Sequence, residues 1–73
     1  MDADALEFVV KEGSPVTRKP IKGLKIPRGA IIGGIIRGEE GYIAVGDFQI
    51  KAGDKVVVFS LPRAVQKITT LFK

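Results

Sequence analysis

Short apolar stretches separated by glycine and proline predict a domain built mainly from strands. Residues 5–10 combine aliphatic, β-branched and aromatic side chains, and residues 30–36 form a longer run of apolar residues. Both stretches are typical of strands. Gly-Asp pairs at 46–47 and 53–54 favour tight turns, because glycine adopts positive φ and aspartate bonds its own backbone. We therefore predict a β-meander with strands at residues 42–45, 48–50 and 55–61.

Two prolines are placed where helices begin. Pro20 suits the first turn of a short helix, in which Ile21 and Leu24 would share the inner face. Pro62 is placed to start a longer, C-terminal helix. One face of that helix is apolar at the 3.6-residue period and is expected to cover the sheet. It consists of Leu61, Val65, Ile68, Leu71 and Phe72.

The strand predicted over residues 30–36 is apolar on both faces, which a strand with one face in water would not show. A chain of this size covers one face with its own helices, so the other face needs a second subunit or a bound ligand. Gly33 and Gly34 in mid-strand indicate either a close backbone approach or a β-bulge. We expect a homodimer whose interface includes Ile32, Gly34 and Ile36.

The composition limits how so small a core is supported. The 73 residues contain neither cysteine nor histidine, so disulfides and Cys/His metal sites are excluded as supports. The longest apolar run, residues 29–36, is too short to cross a bilayer, and the acidic N-terminus is unlike a signal peptide. We expect a soluble, unexported protein without direct membrane insertion.

The net charge of +4 is unevenly distributed along the chain. Residues 1–12 and 38–54 each sum to −3, whereas residues 13–37 contain no acid. The cations of this basic block are Arg18, Lys19, Lys22, Lys25, Arg28 and Arg37. Such a block attracts anions, such as a nucleotide, a nucleic acid or a membrane surface, or it forms a merely solvated face.

Catalytic signatures are missing from the sequence. Without histidine and cysteine, the commonest general base and the commonest strong nucleophile are lost. Neither GxGxxG nor GxxxxGK[ST] occurs. We therefore predict that the chain is not an enzyme and has no resident cofactor.

DNA binding is a weaker alternative. Single-strand binders interleave aromatic with basic residues, and the basic block has no aromatic residue. Swapped-hairpin transcription factors share a short β-meander with Gly-Asp turns, which keeps a small DNA-binding β-domain open. We nevertheless expect no nucleic-acid partner.

Several motifs occur in a specific order between residues 24 and 72. They are L-x-I-P at 24–27, G-A-I-I-G-x-I-I-R at 29–37, G-D-x-x-I-x-A-G-D-x-V-V-V-F at 46–59, L-P-x-A before an apolar residue at 61–65, and L-F at 71–72. In this order and spacing the sequence resembles the C-terminal domain (RCK_C or TrkA_C) of TrkA/KtrA-type regulators of potassium uptake.

The resemblance implies an α+β fold for residues 1–73 as a single dimerising domain. The expected sheet has about four to five antiparallel or mixed strands, with one short and one C-terminal helix. In the parent regulators the domain follows a dinucleotide-binding Rossmann domain, in a cytoplasmic ring beneath a membrane channel or transporter. The resemblance therefore implies a potassium channel or transporter subunit as partner, at the inner face of the cell membrane. Because the chain lacks the Rossmann motif, NAD binding is not implied.

Some members of this family bind cyclic di-AMP between two protomers. Their ligand contacts come from the loop before the central strand and from the start of that strand. The matching positions here are Ile26, Pro27, Arg28, Ala30, Ile31 and Ile32. Arg28 offers a bidentate donor for phosphate, and the isoleucines offer apolar walls for a base. Two functions stay open: a ligand-sensing regulatory domain, or a purely structural oligomerisation domain in which the isoleucines form the dimer core and Arg28 is solvated.

Overall fold

A four-stranded antiparallel sheet forms the centre of the structure, a computed structural model that describes residues 2–73. The strands are β1 (Asp4–Val9), β2 (Ala30–Arg37), β3 (Glu40–Tyr42) and β4 (Lys55–Ser60), and their order across the sheet is β1-β4-β2-β3. β4 therefore pairs with both β1 and β2. The predicted α+β class is confirmed, as are the strands at 5–10, at 30–36 and at the end of the meander.

Short 3-10 helices connect the strands at Pro15–Thr17 and Ile21–Gly23, and a third at Pro62–Ala64 leads into the helix α1 (Val65–Leu71). The first and the third begin with a proline. A backbone N–H in the first turn of a helix has no partner within the helix, so a proline, which has no N–H, loses no hydrogen bond there. As predicted, Ile21 and Leu24 both pack against the core.

One face of the sheet, called here the inner face, packs against α1 and the 3-10 helices. Ile35, Val56 and Val58 from the sheet and Ile68 from α1 are fully buried there. Ile68 and Phe72 lie on the apolar side predicted for the C-terminal helix, which is confirmed.

The end of α1 is fixed to the core by two contacts. The rings of Phe8 and Phe72 stack with their centroids 4.2 Å apart. The buried hydroxyl of Ser14 donates a hydrogen bond to the carbonyl oxygen of Phe72 at 3.1 Å. This bond satisfies a carbonyl that the helix itself leaves without a partner.

A β-bulge interrupts β2 at its two glycines. Ile32 pairs with Val58, and the next pair along the ladder is Gly34 with Val57, so Gly33 is the extra residue. A Cβ atom built on Gly33 would lie 2.5 Å from Cε2 of Phe59, which shows that the ring lies against the glycine backbone. Of the two alternatives predicted for these glycines, the β-bulge is therefore confirmed, and the side chain that lies against Gly33 belongs to the same chain.

The predicted meander is wrong in its middle part. The edge strand is Glu40–Tyr42 and not 42–45, and residues 43–54 form a loop in place of a strand at 48–50. Ile50 is buried and Phe48 packs against the core, so these apolar residues are anchors of a loop that folds over the inner face. In the sequence, the alternating apolar residues of such a loop look like the alternating pattern of a strand, which explains the wrong prediction at 48–50.

Side-chain hydrogen bonds fix this loop, because it has no strand ladder to hold it. Asp54 is buried and accepts hydrogen bonds from Arg37 Nε at 2.8 Å and Nη2 at 2.7 Å. The backbone N–H of Lys51 donates to the same carboxylate at 2.8 Å, which confirms the predicted turn role of Asp54. The hydrogen bonds from Arg37 are the main cause that lowers the pKa of Asp54, and they outweigh the opposing effect of burial.

Candidate functional site

The second face of the sheet, called here the outer face, is apolar and open. It carries Ile31, Gly34 and Ile36 from β2, Lys55, Val57 and Phe59 from β4, and Ala5, Glu7 and Val9 from β1. Ile31 is 64% exposed, Phe59 44% and Ile36 42%. The predicted two-faced character of β2 is thus explained: one face lies in the core and the other is uncovered in the single chain.

A shallow groove of about 380 Å³ runs across the outer face. Its lining includes Gly33, Gly34 and Gly41 together with Ile36 and Phe59. Because Gly34 and Gly41 carry no side chains, a second surface can approach the backbone closely at these positions.

The bulge separates the residues predicted for the dimer interface. Ile32 is half-buried and packs against the core, on the inner face. Gly34 and Ile36 lie on the outer face. The interface prediction rested on even-numbered positions sharing one face, and one extra residue at Gly33 changes that periodicity after Ile32.

A small apolar depression lies at the start of β2, where Ile31 lies beside Phe59. Its volume is about 260 Å³, and Ala30, Ile31, Phe59 and Leu61 contribute to its walls. Ala30 is buried, whereas Ile31 belongs to the outer face. Two of the six residues predicted to bind a ligand therefore meet here.

Three other residues of the predicted ligand site lie in a different cleft, beside α1. Ile26, Pro27 and Arg28 line it together with residues of α1 and of the 3-10 helix before it, and the cleft holds about 490 Å³. We call it the basic cleft, because the cations among its lining residues are Lys25, Arg28, Arg63 and Lys67, without any acid. Ile32, the sixth predicted residue, lines neither cavity.

Gly29 separates the two cavities and fixes the loop against the helix. Its φ of +91° is in the left-handed region that favours glycine. Its carbonyl accepts a hydrogen bond from the backbone N–H of Leu61 at 2.8 Å. A Cβ at this position would lie 3.5 Å from the Cβ atoms of Leu61 and Ala64, so the backbone runs directly alongside the start of the C-terminal helix.

Arg63 and Lys67 were not among the predicted site residues. The signal that would have found them is their spacing: four residues apart on the polar side of the C-terminal helix, they lie on the same side of it. What the sequence does not show is that the loop over residues 25–28 lies next to that side.

Two cations of the basic block are neutralised by carboxylates. Arg37 pairs with Asp54, and Lys22 pairs with Asp47 at 2.7 Å. Arg37 also lies over the rings of Tyr42 and Phe48, at 5.5 and 5.0 Å from their centroids. Within residues 2–73, the four cations of the basic cleft have no carboxylate within ion-pair distance. Within the basic block, Arg37 is therefore held by the fold, whereas Lys22 forms an exposed ion pair. Lys25 and Arg28 face solvent.

Two kinds of feature are absent from residues 2–73. No helix there is long and apolar enough to span a membrane. No cluster of three or more aspartate, glutamate, histidine or cysteine residues in the same range is arranged to hold a metal ion.

The sequence is similar to those of known proteins. The sequence model of the TrkA-C domain family matches residues 5–73. Among curated proteins, the Trk system potassium uptake protein TrkA homolog 1 of Methanosarcina mazei is 38% identical over 71 residues, and the TrkA homolog of Archaeoglobus fulgidus is 34% identical over 73 residues. These matches cover 97% and 100% of this chain but 16% and 17% of the relatives, so the chain spans about one sixth of their length.

A solved structure shares the fold. It is described as the structure of an RCK domain with cda, and it superimposes with a TM-score of 0.74 at 18% sequence identity. The superposition covers 94% of this chain and 97% of that one. The likeness in fold therefore extends over nearly the whole chain.

Proposed function

The chain belongs to the TrkA-C domain family, and from this premise we propose that it is the dimerising, ligand-sensing regulatory domain of a Trk/Ktr-type potassium-uptake system. The family and the names of its relatives support a regulatory role in potassium uptake. The proposed role is to bind and assemble, without catalysis. Its site is the outer face with the depression at the start of β2.

The observation that carries dimerisation is the exposed apolar outer face. Large apolar side chains grouped on one face are uncommon on monomers and mark interaction surfaces. In a twofold dimer the same patch meets itself, and the absence of side chains at Gly34 and Gly41 leaves room for a close approach. The central row of the face, Ala5, Phe59 and Ile31, pairs directly across the three strands. A second copy of the chain is the occupant that we propose.

Substitution of Ile36 by Asp tests the dimer. Ile36 lies on the outer face beside Lys55, so the change adds a charge to the proposed interface and leaves the core intact. Sedimentation at micromolar concentration should show a dimer for the unmodified chain and a monomer for Ile36→Asp. Gln66→Asp, which adds the same charge on the exposed side of α1, should remain dimeric. A monomeric unmodified chain would refute the proposed interface.

The ligand that we propose is a nucleotide held between two protomers, with cyclic di-AMP as the first candidate. Support comes from the apolar depression at Ala30, Ile31 and Phe59, which borders the outer face and gives walls of the kind that a base requires. Arg28 precedes this segment and is the cation next to it in sequence. The structural neighbour described as an RCK domain with cda is consistent with a ligand-binding role for this fold.

Calorimetric titration tests the ligand. Cyclic di-AMP, other cyclic dinucleotides and adenine nucleotides should be titrated into the chain, and heat should saturate at one ligand per dimer for the correct one. Ile31→Ser should weaken binding at least tenfold, whereas Val45→Ser, at an exposed position in the loop after β3, should not. A dimer that binds none of these compounds would favour the purely structural oligomerisation domain.

The proposed setting is a larger regulator. We propose that a dinucleotide-binding Rossmann domain precedes this domain in the parent protein, and that the assembly contacts a potassium channel or transporter subunit at the cytoplasmic side of the membrane. The curated relatives, six times longer than this chain, support a parent protein of several parts. Co-purification of the full-length regulator with its transporter subunit would test this setting.

A further inference from the structure

A cavity of about 410 Å³ is lined by the segment 12–18 and by the loop over residues 49–52. None of its lining residues belongs to the outer face or to the segment 26–32. Its ionisable lining residues are one acid, Glu12, and two bases, Arg18 and Lys51, and we call it the mixed-charge cavity. We propose that it binds a small zwitterion of the amino-acid class, which carries an ammonium and a carboxylate group in one molecule.

A hydrogen bond joins the two walls of the mixed-charge cavity. The side-chain Nε2 of Gln49, on the loop, donates to the carbonyl oxygen of Thr17 at 2.6 Å. The Thr17 hydroxyl donates to the carbonyl oxygen of Ser14 at 2.7 Å, and the carbonyl oxygen of Gln49 accepts from Arg37 Nη2 at 3.0 Å. The fold itself therefore holds the two walls together, so the cavity is formed before a ligand binds.

Two oxygen acceptors at the cavity suit an ammonium group. The amide of Gln49 is fixed through its Nε2, and within residues 2–73 no group donates to its Oε1. The carboxylate of Glu12 is exposed and forms no ion pair in the same range of residues. An ammonium group has three donors and no acceptor, so an amide oxygen and a carboxylate are the partners that it requires.

Two cations at the same cavity suit a carboxylate group. Arg18 and Lys51 are exposed, and neither pairs with an acid of residues 2–73. A guanidinium donates two parallel hydrogen bonds to a carboxylate, and an ammonium group adds a third donor. Ile50, which is 1% exposed, and Ala52 contribute apolar lining beside these charges.

The combination of charges disfavours ligands of a single sign. A metal cation would be repelled by Arg18 and Lys51, and a simple anion would be repelled by Glu12. A zwitterion meets an opposite charge at each of its ends. The volume of about 410 Å³ lies within the range of small-molecule sites and leaves room for an amino-acid side chain.

Chemical-shift titration of the unmodified chain with L-alanine tests the proposal. L-Alanine should bind saturably and shift the amide resonances of residues 12–18 and 49–52. Propionate and ethylammonium, which correspond to L-alanine without its amine and without its carboxylate, should each bind at least tenfold more weakly. Absence of saturable binding by L-alanine, shifts confined to other parts of the chain, or equal binding of propionate would overturn the proposal.

Variants separate the two charges of the site. Glu12→Gln should lower the affinity for L-alanine at least tenfold without weakening the binding of propionate, because only the ammonium group loses its partner. Arg18→Gln/Lys51→Gln should weaken the binding of both compounds. Loss of both compounds in Glu12→Gln would show a structural role and refute the assignment of this carboxylate.

Matched controls make the same changes of charge elsewhere on the surface. Glu39→Gln removes an exposed acid, and Arg63→Gln/Lys73→Gln removes one arginine and one lysine, all outside the mixed-charge cavity. Each control should change the affinity for L-alanine less than twofold. Equal losses in the controls and in the site variants would show a response to net charge alone and would overturn the site.

The dimer variant separates this proposal from the proposed function. Because all lining residues of the mixed-charge cavity belong to one chain, Ile36→Asp should keep the affinity for L-alanine within twofold. A chain that binds neither cyclic di-AMP nor a second copy should still bind L-alanine. Loss of L-alanine binding together with loss of the dimer would place the ligand between protomers and refute the single-chain cavity.

Discussion

At the scale of single residues, Asp54 and Arg37 each take part in three side-chain hydrogen bonds. One buried carboxylate receives two hydrogen bonds from Arg37 and one from the backbone of Lys51. Arg37 adds a third hydrogen bond, to the carbonyl oxygen of Gln49 at 3.0 Å. Together these contacts join the end of β2 to both ends of the segment 49–54, which has no strand ladder of its own.

The lowered pKa of Asp54 predicts how stability depends on pH. Its pKa lies below the unfolded value of about 4 because Arg37 donates to the charged form. The stabilisation is therefore fully present above about pH 4 and is lost as the pH falls through the lower, folded pKa. Urea unfolding between pH 7 and pH 2 should show this loss.

Asp54→Asn should weaken the structure by ~2 kcal/mol at pH 7, since a charged acceptor of several hydrogen bonds is removed. Its free energy of unfolding should then change less between pH 5 and pH 2 than that of the unmodified chain. Asp47→Asn is the control, because the Lys22–Asp47 pair is exposed and such pairs contribute little. A pH profile of Asp54→Asn that matches the unmodified chain would refute this role.

At the scale of elements, the bulge in β2 decides which side chains face outward. Gly33 has no partner in the ladder, and the ring of Phe59 occupies the space where a side chain would begin. A methyl group at residue 33 would force the ring to move. At Gly34, by contrast, an added Cβ would meet only the carbonyl oxygen of Tyr42, at an ordinary 3.6 Å.

Gly33→Ala should therefore destabilise the chain by about 1–2 kcal/mol, as overpacking does, while Gly34→Ala should change stability by less than about 0.5 kcal/mol. A double-mutant cycle with Phe59→Ala isolates the cause, because the cost of Gly33→Ala should largely disappear once the ring is removed. Urea unfolding of the four chains measures the cycle. An unchanged cost in the Phe59→Ala background would show that the ring is not the obstacle.

Periodicity in the sequence was sufficient for most of the regular elements, the edge strand β3 excepted. The apolar pattern of the C-terminal helix, the two-faced strand β2 and the strand at 55–61 were all predicted correctly within a residue or two. The strand at 48–50 was wrong because Ile50 and Phe48 anchor a loop, and the ion pair that holds it joins Arg37 to a residue 17 positions away. Local patterns carry no information about such a pair.

The candidate site was only partly accessible from the sequence. The sequence identified Arg28 and its neighbours as candidate site residues. The bulge that places Ile32 inward depends on pairing with β4. Arg63 and Lys67 come close to the loop over residues 25–28 only in the folded chain. Each of these facts depends on contacts between distant segments. A single sequence shows the residues, and the fold decides which of them share a cavity.

At the scale of the whole molecule, a single small core predicts that assembly contributes to stability. Domains of this size bury a limited share of their surface and gain from a partner. If dimerisation is coupled to folding, the melting temperature should rise by about 5–10 °C for a hundredfold increase in chain concentration. Calorimetry over that range measures the effect. Ile36→Asp should remove the concentration dependence, and a concentration-independent melting temperature of the unmodified chain would contradict the coupling.

The central place of β4 has a consequence for biosynthesis. β1 and β2 do not touch each other in the sheet; each pairs with β4, which comes about 50 residues after β1 in the sequence. While the chain is being translated, residues 4–9 and 30–37 therefore leave the ribosome before their shared partner exists. The complete sheet can form only when residues 55–60 have emerged. Until then β2 can pair only with β3, and its apolar side chains are exposed to aggregation or to capture by chaperones.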